Sequence, residues 1–295
     1  MVDRIKKFQK TTKPDYKFTL LIPTWNNLDF LKLCVNSIRK NSFYEVQIIV
    51  IVNEGTDGTL QWVAEQNELD YVYSEENIGI CFALNISRSL IKSEYIVYVN
   101  DDMYMLPDWD RELDKEISKL GTKSFMLSST MVEPVNTGNK SVVVKNYGTG
   151  LNDFNEEQLL NDRHNLVRAD WSGSSWPPNV VHVDMWDLVG GLSIEFSPGM
   201  GSDPDFAKKL YEAGVRYFKG VGSSLVYHFG SKSTGRIRKN NGRNIFMHKW
   251  GITQSAFNNK CLKRGEPFKG EVEMPAFSLF ERLTNKMKII LSFLK

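Results

Sequence analysis

Cysteine is scarce: Cys34, Cys81 and Cys261 are the three in 295 residues, far apart, odd in number and without a CxxC pair. That spacing excludes a disulfide framework and a paired-cysteine zinc site, and it fits a reducing compartment. No run of about 18 apolar residues occurs, so the sequence predicts no transmembrane helix. The opening stretch MVDRIKKFQKTTKPDYK is basic but holds no apolar centre, which argues against a secretory signal. A net charge of +2 gives no reason to expect a nucleic-acid partner. Repeats and low-complexity segments are also absent. These absences describe a cytoplasmic protein whose membrane contact, if any, is peripheral at an inner face. What remains is 41% hydrophobic and 24% charged, ordinary for a globular chain with a sizeable core.

The first half alternates strand and helix patterns. FTLLIPT (18–24) is an apolar run closed by Pro23, and VQIIVIV (46–52) is β-branched and unbroken, as parallel strands covered on both faces tend to be. Between them, DFLKLCVNSIRKN places Phe30, Leu33, Cys34 and Ile38 at helical spacing. Next come a GTDGT turn, a helix in LQWVAEQNE, a short strand YVYS, a helix in ICFALNISRSLIK and a strand YIVYV (95–99). This order predicts an α/β fold with a doubly wound, mostly parallel sheet, whose ligands lie at the carboxyl ends of the strands. Beyond residue 120 the pattern becomes mixed. SFMLSSTMVEP and KSVVVKNYGT read as strands, 151–180 as a long loop region, DPDFAKKLYEAG as a helix, and RYFKGVGSSLVYHFG as one or two short strands. In the tail, Phe277, Phe280, Leu283, Met287, Ile290, Leu291 and Leu294 share a helical face rimmed by Arg282, Lys286, Lys288 and Lys295. Such a helix either packs on its own domain or lies on an anionic membrane surface or a partner.

Chemistry concentrates where YIVYV ends in Asn100, Asp101 and Asp102. A single strand-end Asp is usually no more than a solvated group. Two adjacent carboxylates at the ligand edge of an open sheet suit a hard divalent cation that also takes phosphate oxygens. The segment GSDPDF is a good helix start, with Ser or Asp to cap and Pro in the first turn. Gly190-Gly191 reads as a turn, and Trp171, Trp176 and Trp186, each an apolar plane with a polar edge, suit either core packing or stacking on a ligand.

LLIPTWN, VIVNEGTDGT, ENIGICFALN and VYVNDDMYMLPD stand in the order and approximate spacing of the family 2 glycosyltransferases of GT-A fold, which the chain resembles. VGGLSIEF, GSDPDFAKKLYEAGVRYF and LVYHFGSKS continue the resemblance to about residue 233. It implies a Rossmann-like central sheet flanked by helices, a mixed-sheet acceptor half and a C-terminal helical tail. The corresponding division is 1–17 as a basic extension, 18–233 as the GT-A domain and 234–295 as a C-terminal helical extension. By the same resemblance Thr24 lines the nucleotide pocket, Asn53 stands at the base-reading position, and Asp57 takes the second acidic position of the loop after it. Asn77 and Gly79 lie beside base and ribose, and Asp101 faces the ribose or donor sugar. Asp102 and His228 hold Mn²⁺ or Mg²⁺, Gly190 and Gly191 approach the donor sugar, Glu195 contacts the acceptor, and Asp203 is the catalytic base. The chain departs from the family pattern at Asn53, at Ser202 in place of a Glu, at Lys208-Lys209 near the usual Arg, and in a loop after Asn53 that is one residue shorter.

The resemblance implies an inverting, metal-dependent transferase that moves a sugar from a nucleotide-diphosphate sugar to a hydroxyl of a glycan, lipid-linked or protein acceptor. Surface polysaccharide or glycoconjugate synthesis is the expected setting, and a homo-oligomer is compatible with it. A sugar-phosphate nucleotidylyltransferase is the alternative enzyme, although PTWNN stands where its Gly-rich loop would be. A non-catalytic nucleotide-sugar-binding protein is the other alternative. Asn53 and Ser202 favour it, while joint retention of Asp102, Asp203 and His228 argues against it.

Overall fold

Gln47–Asn53 is buried at all seven positions, which only a strand between two neighbours and under two layers of helices can be. The computed structural model, which describes residues 4–230 and 239–292, places it near the middle of the left half of an eleven-stranded sheet. The strands are β1 (Ile5–Phe8), β2 (Tyr16–Trp25), β3 (Gln47–Asn53), β4 (Leu69–Ser74), β5 (Ser93–Tyr98) and β6 (Met103–Met105). They continue with β7 (Phe125–Glu133), β8 (Val143–Val144), β9 (Trp171–Ser172), β10 (Asn179–His182) and β11 (Tyr217–His228). Their order across the sheet is β1-β4-β3-β2-β5-β10-β7-β11-β6, with β8 on β7 and β9 on β11.

Strands β2, β3, β4 and β5 pair in parallel, and β7 pairs in parallel with β11. Strand β10 is antiparallel to both β5 and β7, so β7 and β11 run in the same sense as the parallel block. The carboxyl ends of β2, β3, β5, β7 and β11 therefore open on one edge of the sheet. Alternation along the strands divides the core. Leu20, Ile22, Val50 and Val52 face α1 (Leu28–Asn41), α2 (Thr59–Glu65) and, nearer β11, α4 (Trp109–Leu120). Leu21, Ile49 and Ile51 face the other way, toward α3 (Gly79–Ile86), α6 (Val183–Val189) and α7 (Ser202–Glu212). A third cluster, with Tyr104, Tyr227 and Phe229, gathers beneath α5 (Glu156–Asp162).

The expected long loop of 151–180 is corrected by α5 and β9. Asn155 caps α5 by accepting from the Gln158 amide at 3.0 Å, and Leu159 is buried in the third cluster; the helix is too short to show a period. The expected strand in KSVVVKNYGT shrinks to two residues, and the Lys140 and Val142 carbonyls beside it accept from Arg168 at 2.9 and 3.1 Å. The possible pair of strands in RYFKGVGSSLVYHFG is one strand, β11, with a register shift between Val221 and Leu225.

The basic N-terminal stretch adds β1 to the sheet edge. The buried Asp70 then ties down the segment after β1 by accepting from the Lys10 and Thr11 amides at 2.6 and 2.9 Å. At the other end, α8 (Gly242–Trp250), α9 (Gln254–Ala256) and the turn after it supply Phe246, Phe257 and Leu262 to the second core face. The last helix, α10, spans Leu279–Ser292. Leu294, Lys295 and the boundary drawn at 233 lie outside the described residues. The three cysteines are buried and unbridged. Among the described residues no helix is long and apolar enough to cross a membrane.

Candidate active site

Five strand ends and one helix start converge on a cavity of about 400 Å³. Strand β2 delivers Thr24 and Trp25, β3 delivers Asn53, the turn after β5 delivers Asn100, Asp101 and Asp102, β7 delivers Glu133, and β11 delivers His228. Helix α7 contributes Asp203, and the loop before α3 contributes Asn77 and Gly79. Eight of the positions marked from the resemblance thus share one cavity.

The local fold explains each placement. The antiparallel pairing of β11 with β6 sets His228 opposite Met103, beside Asp102, and the Phe229 amide donates to the Asp102 carbonyl at 3.2 Å. His228 Nε2 lies 3.6 Å from Asp102 Oδ1, while its Nδ1 lies 2.9 Å from Glu133 Oε1. Burial works against the imidazolium, but the Glu133 hydrogen bond and the Asp102 charge outweigh it and raise the His228 pKa. Asp101 and Asp102 are themselves 7% and 5% exposed, so two carboxylates stand nearly out of water at one edge of the cavity.

On the opposite wall, the 77–80 loop and the 197–200 loop brace each other. Gly79 has φ +72°, and a Cβ there would stand 2.7 Å from the Pro198 Cα, so glycine is required for the close approach. The Ile80 amide donates to the Pro198 carbonyl at 2.9 Å and Ser197 Oγ to the Ile78 carbonyl at 3.3 Å. Ser202 is fully buried and turns inward, donating to the Gly199 carbonyl at 2.8 Å. This bracing presents Asp203, in the first turn of α7, to the cavity. Its carboxyl is half-buried at the surface yet walled in by protein, and that desolvation pushes it up from 3.8 to about 7.

The remaining positions fall elsewhere or are already engaged. Asn53 lines the cavity, but its amide donates to the Thr24 carbonyl at 3.3 Å and accepts from the Ile78 amide at 3.1 Å, so it ties three loops together. Asp57 does not line the cavity. It accepts from the Leu28 amide at 2.9 Å and from the Thr59 hydroxyl at 2.6 Å, locking the loop after β2 to the start of α2. Burial opposes that charge, but the Thr59 and Leu28 bonds prevail and hold its carboxyl below the usual range. Gly190 and Gly191 are also outside the cavity. Gly190 ends α6 in the left-handed region, and Gly191 packs so tightly that a Cβ would stand 2.3 Å from Asn85 Oδ1. Glu195 is held by Lys249 at 2.8 Å. Of the three tryptophans, Trp171 and Trp186 are buried, while Trp176 lines the cavity at 37% exposure with the Arg264 guanidinium 4.0 Å over its ring.

Glu133 escapes the reading of the sequence, although its signal is present there. SFMLSSTMVEP ends in an acid as YIVYV does, and β7 runs in the same sense as β5. Asking what terminates every parallel strand finds it.

The donor set suits a divalent metal. Among the described residues no group of three or more His, Cys, Asp or Glu side chains is arranged to hold an ion unaided. Asp102 and His228 nonetheless face each other, and Glu133 holds the far ring nitrogen, the usual support of a metal-bound histidine. An incomplete set fits a cation whose shell is finished by phosphate oxygens and water. Thr24 Oγ1, buried at the cavity wall, has no hydrogen-bond partner among the described residues, a polar atom suited to a ligand.

The mostly parallel α/β sheet with an acidic cleft at its carboxyl edge is the arrangement expected of a GT-A fold. Residues 19–169 match the model of glycosyl transferase family 2, and the chain belongs to that family. It is 28% identical over 106 residues to the glycosyltransferase GlyA of Streptococcus pneumoniae, a match covering 35% of this chain and 15% of GlyA. The chain therefore spans only a small part of that relative. Among solved structures it resembles S. aureus TarS, with a TM-score of 0.57 at 15% identity over 93% of this chain and 43% of TarS. It also resembles GalNAc-T7 solved with UDP, GalNAc and Mn²⁺, with a TM-score of 0.55 at 14% identity over 78% of this chain and 45% of that one. At such identities the likeness concerns the fold.

Proposed function

We propose that the chain is an inverting, metal-dependent glycosyltransferase that takes a sugar from a nucleotide-diphosphate sugar to a hydroxyl of a glycan, lipid-linked or protein acceptor. We assign it to surface polysaccharide or glycoconjugate synthesis. The observation that carries this reading is the meeting, in one cavity, of the Asp102–His228 pair with the raised carboxyl of Asp203. The presence of UDP, GalNAc and Mn²⁺ in the GalNAc-T7 structure is in keeping with a nucleotide-sugar donor and a divalent metal.

In this reading Thr24, Asn77 and Gly79 border the nucleoside and Asp101 the ribose or sugar. Asp102 and His228 would hold Mn²⁺ or Mg²⁺, which when bound offsets the charge gathering on the departing diphosphate. Asp203 takes the proton of the acceptor hydroxyl as its oxygen bonds to the anomeric carbon and the bond to the phosphate oxygen breaks. A carboxyl near pKa 7 is matched to that work, since it is ionised in part at neutral pH and still basic enough to accept a proton. Trp176 lines the cavity, and the ring face not covered by Arg264 is the plane available to a sugar ring.

A thermal-shift screen of UDP-, GDP- and dTDP-sugars with and without Mn²⁺, with a transfer or hydrolysis assay on the stabilising donor, tests the proposal. Donor binding that needs the metal, with turnover abolished in Asp203→Asn, supports it. Metal-dependent binding without turnover in the wild type would instead leave a nucleotide-sugar-binding protein.

A further inference from the structure

Helix α10 is docked the opposite way round from a helix that closes a core. Its polar side faces the protein. Asn285 is its only buried side chain among the described residues, Ser292 Oγ lies 2.6 Å from His248 Nε2, and Glu281 pairs with Lys260 at 2.6 Å. The apolar side faces outward: Leu279, Phe280, Leu283, Met287, Ile290 and Leu291 are each more than half exposed. At about 100° of turn per residue these six fall within an arc of about 120°, a continuous stripe along the helix.

Water does not favour such a stripe, and a face of this kind on a soluble protein marks an interaction surface. Charge identifies the occupant. Exposed Lys286 and Arg282 lie about 20° and about 60° beyond one border of the arc and exposed Lys288 about 60° beyond the other, at the rim of a groove against α8, while the acid Glu281 is already paired with Lys260. Cations on both borders of an apolar stripe match a layer whose centre is hydrocarbon and whose surface is anionic, because long basic side chains lay their stems on the apolar region and raise their charge to the phosphates. A second copy of the helix would instead bring cationic borders against cationic borders. We propose that α10 lies flat on an anionic lipid surface, with its apolar stripe at the headgroup–acyl boundary and Arg282, Lys286 and Lys288 on lipid phosphates. This inference is independent of the reading of the cleft.

The test is co-sedimentation of the full chain with vesicles of phosphatidylcholine alone and of phosphatidylcholine with phosphatidylglycerol. The wild type is expected to partition at least about tenfold more strongly onto the anionic vesicles. Lys286→Gln and Lys288→Gln should each reduce that partition about fivefold. The triple change Phe280→Ser, Leu283→Ser, Ile290→Ser should leave the protein in the supernatant. All five positions are exposed, so an unchanged melting temperature shows that the variants fold. Equal sedimentation with both vesicle types, or with neither, overturns the proposal. So does a solution dimer without vesicle binding that the triple variant dissolves, which would assign the face to a second copy.

Discussion

Replacing Asp203 by Asn should make the protein more stable at alkaline pH while removing its turnover. Desolvation in the cleft raises this carboxyl from 3.8 to about 7, so the folded chain holds a proton that the unfolded chain has released over that interval. A folded pKa above the unfolded one stabilises at low pH, and that contribution is lost as pH rises toward the folded value. Of the shift of about 3 units, about 2 lie above about pH 5, worth about 3 kcal/mol at 1.36 kcal/mol per unit. Partial exposure of the side chain reduces this to about 2 kcal/mol. Asn carries no such dependence, so the melting temperature of Asp203→Asn relative to wild type should climb by about 3 °C between about pH 5 and about pH 8. Paired thermal melts of the metal-free proteins across that range measure it directly. A difference that stays constant with pH would refute the desolvated carboxyl, and with it the physical basis for assigning Asp203 as base.

Neighbouring geometry gives further expectations. Glu133→Gln should weaken Mn²⁺ affinity by about 10- to 100-fold, read as a displaced metal titration in thermal shift, because the carboxylate that orients His228 is gone. The turnover of wild type should rise with pH through about 7 as Asp203 ionises, a limb that Asp203→Asn lacks in any residual activity. Lys249→Met should cost about 3 kcal/mol of unfolding free energy by chemical denaturation, since Asp205, fully buried and 3.0 Å from Lys249 Nζ, would lose its countercharge. Gly191→Ala should lower the melting temperature, with about 1–2 kcal/mol from the left-handed backbone and more from the contact with Asn85.

Local pattern encodes part of this molecule and leaves the rest to contacts distant in the chain. The mostly apolar run of 46–52 and the strand followed by Asn100-Asp101-Asp102 are legible because a parallel strand under two helix layers is mostly apolar and the polar residues after it mark the ligand edge. His228 and Asp203 are placed through motif resemblance, and no periodicity pairs either with Asp102. The structure adds the pairings that bring them together, β11 on β6 and the bracing of the 77–80 loop on Pro198. Helix α5 is hidden because seven residues carry too little period. Asp57 and the two glycines at 190–191 match by motif, yet here they hold loops together, and loop paths depend on those distant contacts. The orientation of α10 is open for the same reason: its amphipathic pattern gives two faces but not which one meets the protein.

Sugar transfer of the kind proposed needs a divalent cation and a nucleoside diphosphate in the one cavity together. Calorimetric titration of UDP and GDP into the wild type and Asp102→Ala, each with and without Mn²⁺, decides whether they bind there jointly. The prediction is that a diphosphate binds the wild type only when Mn²⁺ is present and that Asp102→Ala abolishes this binding while its melting temperature shows an intact fold. Nucleotide binding that ignores both the metal and Asp102, or no binding of either nucleotide under any condition, would contradict it.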